Sequence, residues 1–227
     1  MVLLPFAEIT DFVRSKLDEL SDNSSFVASD NIDIAKIIDE SAVMTIRTIH
    51  LLAPNVLLDG KTLGSASGIA LNAGRDEMYW FEVPSDFMRL ISLKINGWDR
   101  PVQTLVAEDS VEYRKQRNKY LRGTLRNPVA VLRHGVQNQR IIELYVCKPN
   151  PSIYDFSYVP EIYTSSNGVM ICPKLKQACL YAVTAEVMRC LGEAQKAQTF
   201  EMLARESLNP TPDIDRLYPM NGEKVIE

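Results

Sequence analysis

Residues 82–103 read EVPSDFMRLISLKINGWDRPVQ. A proline-led turn opens the stretch and an apolar–polar alternation follows. The period of two places Leu90, Ser92 and Lys94 on one side of a strand over 89–95, and Ile91, Leu93 and Ile95 on the other. Residues 78–83 (MYWFEV) make the strand before it. Asn96-Gly97 suits a type I′ hairpin turn, because both residues tolerate positive φ. Arg100 to Val106 then form the return strand, with Pro101 at an edge or a strand start because it donates no ladder hydrogen bond. The middle of the chain is therefore expected to be β-built.

Both flanks change texture. In residues 5–22, Phe6, Ile9, Phe12, Val13, Leu17 and Leu20 recur at threes and fours, the mark of an amphipathic helix. A second helix is expected to about Leu52, capped by Asp30 or Asn31, with Ile34, Ile38, Ala42, Ile46, Ile49 and Ala53 inward and Pro54 past its end. Residues 60–76 hold four glycines and little bulk, which predicts a loop. Residues 108–120 predict a short polar helix. Residues 128–133 (PVAVLR) and 140–146 (RIIELYV) predict a hairpin, and 153–163 an extended segment that Pro160 keeps partly out of a central strand. Helical texture returns at Pro173. Leu180, Val183, Val187, Cys190 and Leu191 line one helix, and Ala197, Phe200, Leu203 and Ala204 the next, over about 193–208. The expected class is α+β: residues 1–54 and 173–208 form a helical bundle, 55–172 an inserted β-rich lobe, and 209–227 an extended C-terminal arm.

Bulk properties exclude several roles. The net charge of −4 is not that of a DNA-coating protein. No apolar run approaches the ~20 residues that span a bilayer, and MVLLPFAEITDF lacks the basic start of a signal peptide. The four cysteines include no CxxC pair and the two histidines lie far apart, so no metal set is expected. Buried free thiols in a reducing compartment fit better. NVLLDGKT (55–62) approaches a phosphate-binding loop, but Asn55 stands where its first glycine belongs. GSASG (64–68) places Ala66, not serine, at its centre. Glu108, Asp109 and Glu112 sit beside cations, as on a solvated helix face. Lys115, Arg117, Lys119, Arg122, Arg126, Arg133 and Arg140 form a basic cluster holding Tyr113 and Tyr120, fit for phosphate or an acidic partner.

The order of segments from 79 to 205 resembles phage head-to-tail connector proteins of the tail tubular protein A type. The likeness rests on PSDF (84–87), RLIS (89–92), Gly97-Trp98 with Arg100-Pro101, Ser110, Glu112, Tyr113 and Gln116, the PVAVLR strand, and ELY (143–145). The alanine-rich helix 176–191 follows, then Ala194, Ala197 and Phe200. It spans roughly 130 residues by the spacing of weak motifs. The resemblance implies a virion protein without catalysis or cofactor, assembled in the host cytoplasm and placed at the head–tail junction. Twelve copies would ring a DNA channel between the portal protein and the next tail ring or nozzle protein, with no sequence-specific DNA binding and no membrane contact. Trp98 follows a tight turn, and its first expected role is to pack across its own hairpin; as aromatics are enriched at interfaces, Trp98, Arg100, Tyr113, Arg117 and Tyr218 are candidate subunit contacts. Lys115, Lys119, Arg122 and Arg126 are candidate contacts to DNA or an acidic partner. Two other readings compete: a small hydrolase or transferase using Glu108, Asp109 or His134, and a regulatory module that contacts nucleic acid through 114–126.

Overall fold

A computed structural model describes residues 1–20, 34–64, 69–74, 78–135, 139–165 and 167–209. In chain order, the first elements are β1 (Val2–Pro5), α1 (Phe6–Leu20), α2 (Ile34–Leu52), β2 (Lys61–Gly64), β3 (Asn72–Ala73), β4 (Tyr79–Glu82) and β5 (Phe87–Ile95). β6 (Val106–Ala107), α3 (Val111–Gln116), β7 (Val129–His134), β8 (Arg140–Tyr145) and β9 (Ile153–Pro160) follow. β10 (Thr164–Ser165), β11 (Gly168–Ile171), α4 (Lys176–Cys190) and α5 (Ala194–Ser207) complete the order. The protein is of mixed α+β class. It divides into two compact units, residues 1–59 with 162–227, and residues 60–161. The expected helix caps Asp30 and Asn31 lie outside the described residues, as does the C-terminal arm past Asn209.

In the helical unit, α1, α2 and α5 all pack against α4. Ile9 and Val13 of α1 are fully buried, as are Ile38, Ala42 and Ile46 of α2. α4 buries Ala178, Cys179, Leu180, Val183, Thr184, Ala185, Val187 and Met188, which encircle much of the helix. The single stripe expected for it is too narrow because three neighbours surround it, and Cys190 of that stripe is exposed. Only Cys147, Cys172 and Cys179 match the expectation of buried thiols. Burial pushes the Cys147 thiol up to about 12 and raises the other two.

A small antiparallel sheet of order β1-β11-β10 belongs to the same unit. It moves residues 162–172 out of the β-rich unit, where the sequence had placed them. Val2 lies opposite Ile171 and Pro5 opposite Gly168. A Cβ at residue 168 would overlap the Leu4 carbonyl, so this pairing depends on glycine.

His50 is fully buried at the C-terminal end of α2. The Cys172 backbone N–H donates to its Nε2 at 3.0 Å. Nδ1 therefore carries the proton and donates to the Ile46 carbonyl at 2.8 Å. The Cys172 thiol and the Asp59 backbone exchange two further contacts at 3.3 Å.

The β-rich unit has two sheets, of order β2-β9-β5 and β3-β4-β8-β7-β6. They share one core built from Phe81, Phe87, Leu93, Trp98, Ile142, Leu144 and Phe156 among others. The Phe156 ring lies 5.4 Å from that of Phe81 and 5.2 Å from that of Tyr158, centroid to centroid. β5 departs from the expected hairpin. Its partner is β9, and residues 100–106 add only an isolated bridge between Leu93 and Val102. Gly97 has φ +96° while Asn96 does not turn positive, which is the type II pattern and not type I′. Three register shifts break the alternation of β5, so Phe87, Leu90, Leu93 and Ile95 face inward and Ile91 does not. Residues 61–64, expected as loop, pair with Tyr158–Asp155. β9 is the middle strand of its sheet, and Pro160 sits at its last position opposite Phe87.

Burial holds the His50 imidazole below its usual range, against a smaller opposing pull from the Ile46 carbonyl. The unfolded chain thus takes up this proton first as pH falls. The stabilisation is complete above about 6.5 and is lost as pH drops through the lower folded-state value. Urea unfolding at about pH 7.5 and about pH 5.5 will give a lower midpoint in acid. His50→Leu will flatten that difference and cost about 1–3 kcal/mol at the higher pH, since it leaves the Cys172 N–H unpaired.

Candidate functional site

Three of the residues that the sequence singled out, Glu108, Tyr113 and Arg133, meet at the outer face of β7 and β8. In that ladder Val131 lies opposite Glu143 and Val129 opposite Tyr145, so Val131, Arg133, Glu143 and Tyr145 share a face. The other face carries Ala130, Ile142 and Leu144 into the core. α3 covers the outer face. Its cap is Ser110, whose hydroxyl accepts from the Tyr113 N–H at 3.1 Å. Three-residue spacing then buries Tyr113 and Gln116 together.

Glu143 is only 3% exposed. Arg133 Nη1 donates to one of its oxygens at 2.6 Å, and the Tyr145 hydroxyl donates to the other at 2.8 Å. Arg133 also donates through Nε to Glu108 at 3.0 Å. The hydrogen bond to Glu143 chiefly raises the Arg133 guanidinium above its ordinary value, and burial chiefly raises the Tyr145 phenol. Both groups thus stay protonated as donors. The Tyr113 ring lies against two guanidinium groups, Arg117 at 5.3 Å and Arg133 at 5.7 Å from its centroid. Among the described residues, no buried side-chain nitrogen or oxygen lacks a partner. Sequence reasoning met Glu143 only as part of the ELY motif and gave it no role in a site, because nothing near it in the chain shows that it is covered. The cover supplied by α3 comes from 30 residues earlier in the chain.

The candidate contact residues divide sharply. Trp98 is buried at 3% exposure and donates through Nε1 to the Val146 carbonyl at 3.2 Å. Val146 itself holds φ +60°, an outlying conformation for a β-branched residue that its surroundings must enforce. Tyr113 is buried as well. Each ring is enclosed by its own unit. Arg100, Lys115, Arg117, Lys119 and Arg126 are exposed and Arg122 is half-buried. Tyr218 lies outside the described residues. Of the acid–base candidates, Asp109 and the His134 ring are exposed, and Glu108 accepts weakly from the His134 backbone N–H at 3.4 Å. The Arg133 hydrogen bond holds the Glu108 carboxyl below its usual range, the reverse of what a general acid needs. Among the described residues, no three His, Cys, Asp or Glu side chains are grouped to hold a metal, and no helix is long and apolar enough to cross a membrane.

No family model matches the chain, and no curated protein matches it.

The buried pair can be tested by a double-mutant cycle. Glu143→Ala will lower the unfolding free energy by about 2 kcal/mol, less than for a fully buried pair because Arg133 keeps Glu108 and reaches solvent. Arg133→Met combined with Glu143→Leu will recover most of that loss, as read from urea midpoints.

Proposed function

We propose that the chain is a structural virion protein without catalytic activity, one copy of an oligomeric adaptor ring that joins a phage portal to the next tail ring or nozzle protein and extends the DNA channel. The observation that carries this reading is what the motif residues do. Of those behind the likeness to head-to-tail connectors, the ones between PSDF and ELY lie in the β-rich unit, and several of them hold it together. Asp86 of PSDF accepts from the Tyr158 hydroxyl at 2.9 Å and pairs with Lys61, which ties the ends of β2, β5 and β9. Trp98 fastens the turn to Val146. Ser110, Tyr113 and Gln116 build α3, and the ELY residues Glu143 and Tyr145 anchor the face beneath it. Motif residues engaged in holding a shape suit a protein that acts by geometry.

In this reading the helical unit forms the ring wall and the β-rich unit, inserted between α2 and the C-terminal helices, is a lobe directed at a neighbouring ring. Exposed Met44, Leu51 and Leu52 on α2 supply apolar surface for contacts between copies. Head-to-tail contacts that close after a fixed rotation make such a ring. The site is the head–tail junction of the particle, and assembly takes place in the host cytoplasm.

Native mass spectrometry of the full chain, alone and with a portal, will give a closed assembly of about twelve copies. Immunogold labelling of intact particles will place it at the capsid–tail junction. A monomer under every condition, together with unlabelled junctions, would end this reading.

A further inference from the structure

We infer that loop 114–126 is a nucleic-acid contact, which grips the phosphodiester backbone of a strand without reading its bases. From Tyr113 to Ile142 the sequence contains eight Lys or Arg residues and no Asp or Glu. The carboxylates next to this stretch leave the loop largely unneutralised. Glu108 and Glu143 both engage Arg133, and Glu112 reaches Lys115 at 3.9 Å. Arg114, Lys119 and Arg126 are exposed and face no carboxylate among the described residues. Lys61, Lys176, Arg189 and Lys196, by contrast, are each paired. Cations held without counter-charges bind phosphate by releasing its condensed counterions.

The loop is held in shape by its own polar groups. Gln116 Oε1 accepts from the Gly123 N–H at 2.9 Å while its Nε2 donates to the Glu112 carbonyl at 2.9 Å. Asn118 Oδ1 accepts from the Tyr120 N–H at 3.0 Å, and the Asp99 N–H donates to the Leu125 carbonyl at 3.0 Å. These bonds fix the loop before any ligand arrives, so less ordering is left for binding. They also occupy both ends of the Gln116 amide and the oxygen of Asn118, on residue types that read adenine edges in other complexes. α3, at six residues, is too short to lie along a major groove. Phosphate contact without base readout is what remains. Tyr120, 93% exposed beside Leu121, adds a face on which an unpaired base can stack. This surface belongs to the β-rich unit alone and needs no ring, so it stands or falls separately from the adaptor reading.

Fluorescence anisotropy of the full chain with a labelled single-stranded oligonucleotide, and with its duplex, tests the inference. Between about 50 and about 200 mM salt, three or four neutralised phosphates predict a log–log slope of about −2 to −3 for the single strand, roughly a twentyfold to sixtyfold loss of affinity. A triple variant, Arg114→Ala with Lys119→Ala and Arg126→Ala, breaks no ion pair; it will keep its melting temperature and flatten the slope by about 2. Tyr120→Ala will weaken the single strand about fivefold to a hundredfold and the duplex less. No binding at the lower salt would overturn the inference, as would a slope unchanged in the triple variant. Tighter binding of poly-glutamate than of DNA would overturn it too, and would identify an acidic protein as the partner.

Discussion

The buried carboxylate of Glu143 governs the arrangement of the β-rich unit's outer face. A charge withdrawn from water costs several kcal/mol unless a cation and further donors answer it, so the chain around it has little freedom. Arg133 has to stand diagonally across the β7–β8 ladder and Tyr145 two residues along on the same face. Those two side chains need a roof, and α3 supplies one by laying Tyr113 against Arg133 and Val131. The basic loop follows directly from α3, and Gln116 at the helix end holds it through the Gly123 N–H. The position of the exposed cations is thus a distant result of satisfying one acid.

The apolar interior does different work. Phe156 on β9 gathers Phe81, Phe87 and Tyr158, and this cluster supplies burial but tolerates shifts in register. The bulges of β5 show that tolerance: they rotate the strand until Leu90 as well as Leu93 faces inward. In the helical unit α4 has the same role, with apolar residues on nearly all sides. Polar specificity and apolar bulk are therefore assigned to different faces.

How much of this was legible in the sequence depended on the range of the forces involved. α1, α2 and α5 came from local periodicity, because Ile9 and Val13, or Ile38, Ala42 and Ile46, announce a buried stripe within a few residues. The β7–β8 hairpin was equally local. β1 was not, since VLLP is a strand only because Gly168, far along the chain, has no side chain to keep it away. The Asn96-Gly97 turn was found, but its return strand was misassigned. The pairing of β5 with β9 is set by Phe156 and not by the turn. Trp98 and Tyr113 were candidate contacts because aromatics are enriched at interfaces, and their partners, the Val146 carbonyl and Arg133, lie far away in sequence. That Arg114, Lys119 and Arg126 face no carboxylate among the described residues likewise became visible only with the ion pairs around them.

The β-rich unit is entered at Gly60 and left at Glu161, and the strands just inside those points, β2 and β9, are hydrogen-bonded neighbours with Lys61 opposite Tyr158. That layout has a mechanical consequence. A load pulling the two connections apart meets the ladder end-on and opens it one rung at a time, beginning at the Lys61 end. Peeling of this kind needs far less force than sliding two strands past each other, where all rungs break together. Under tension this unit therefore yields first at its own doorway, where Lys61 faces Tyr158, before the rung that sets Leu63 opposite Phe156.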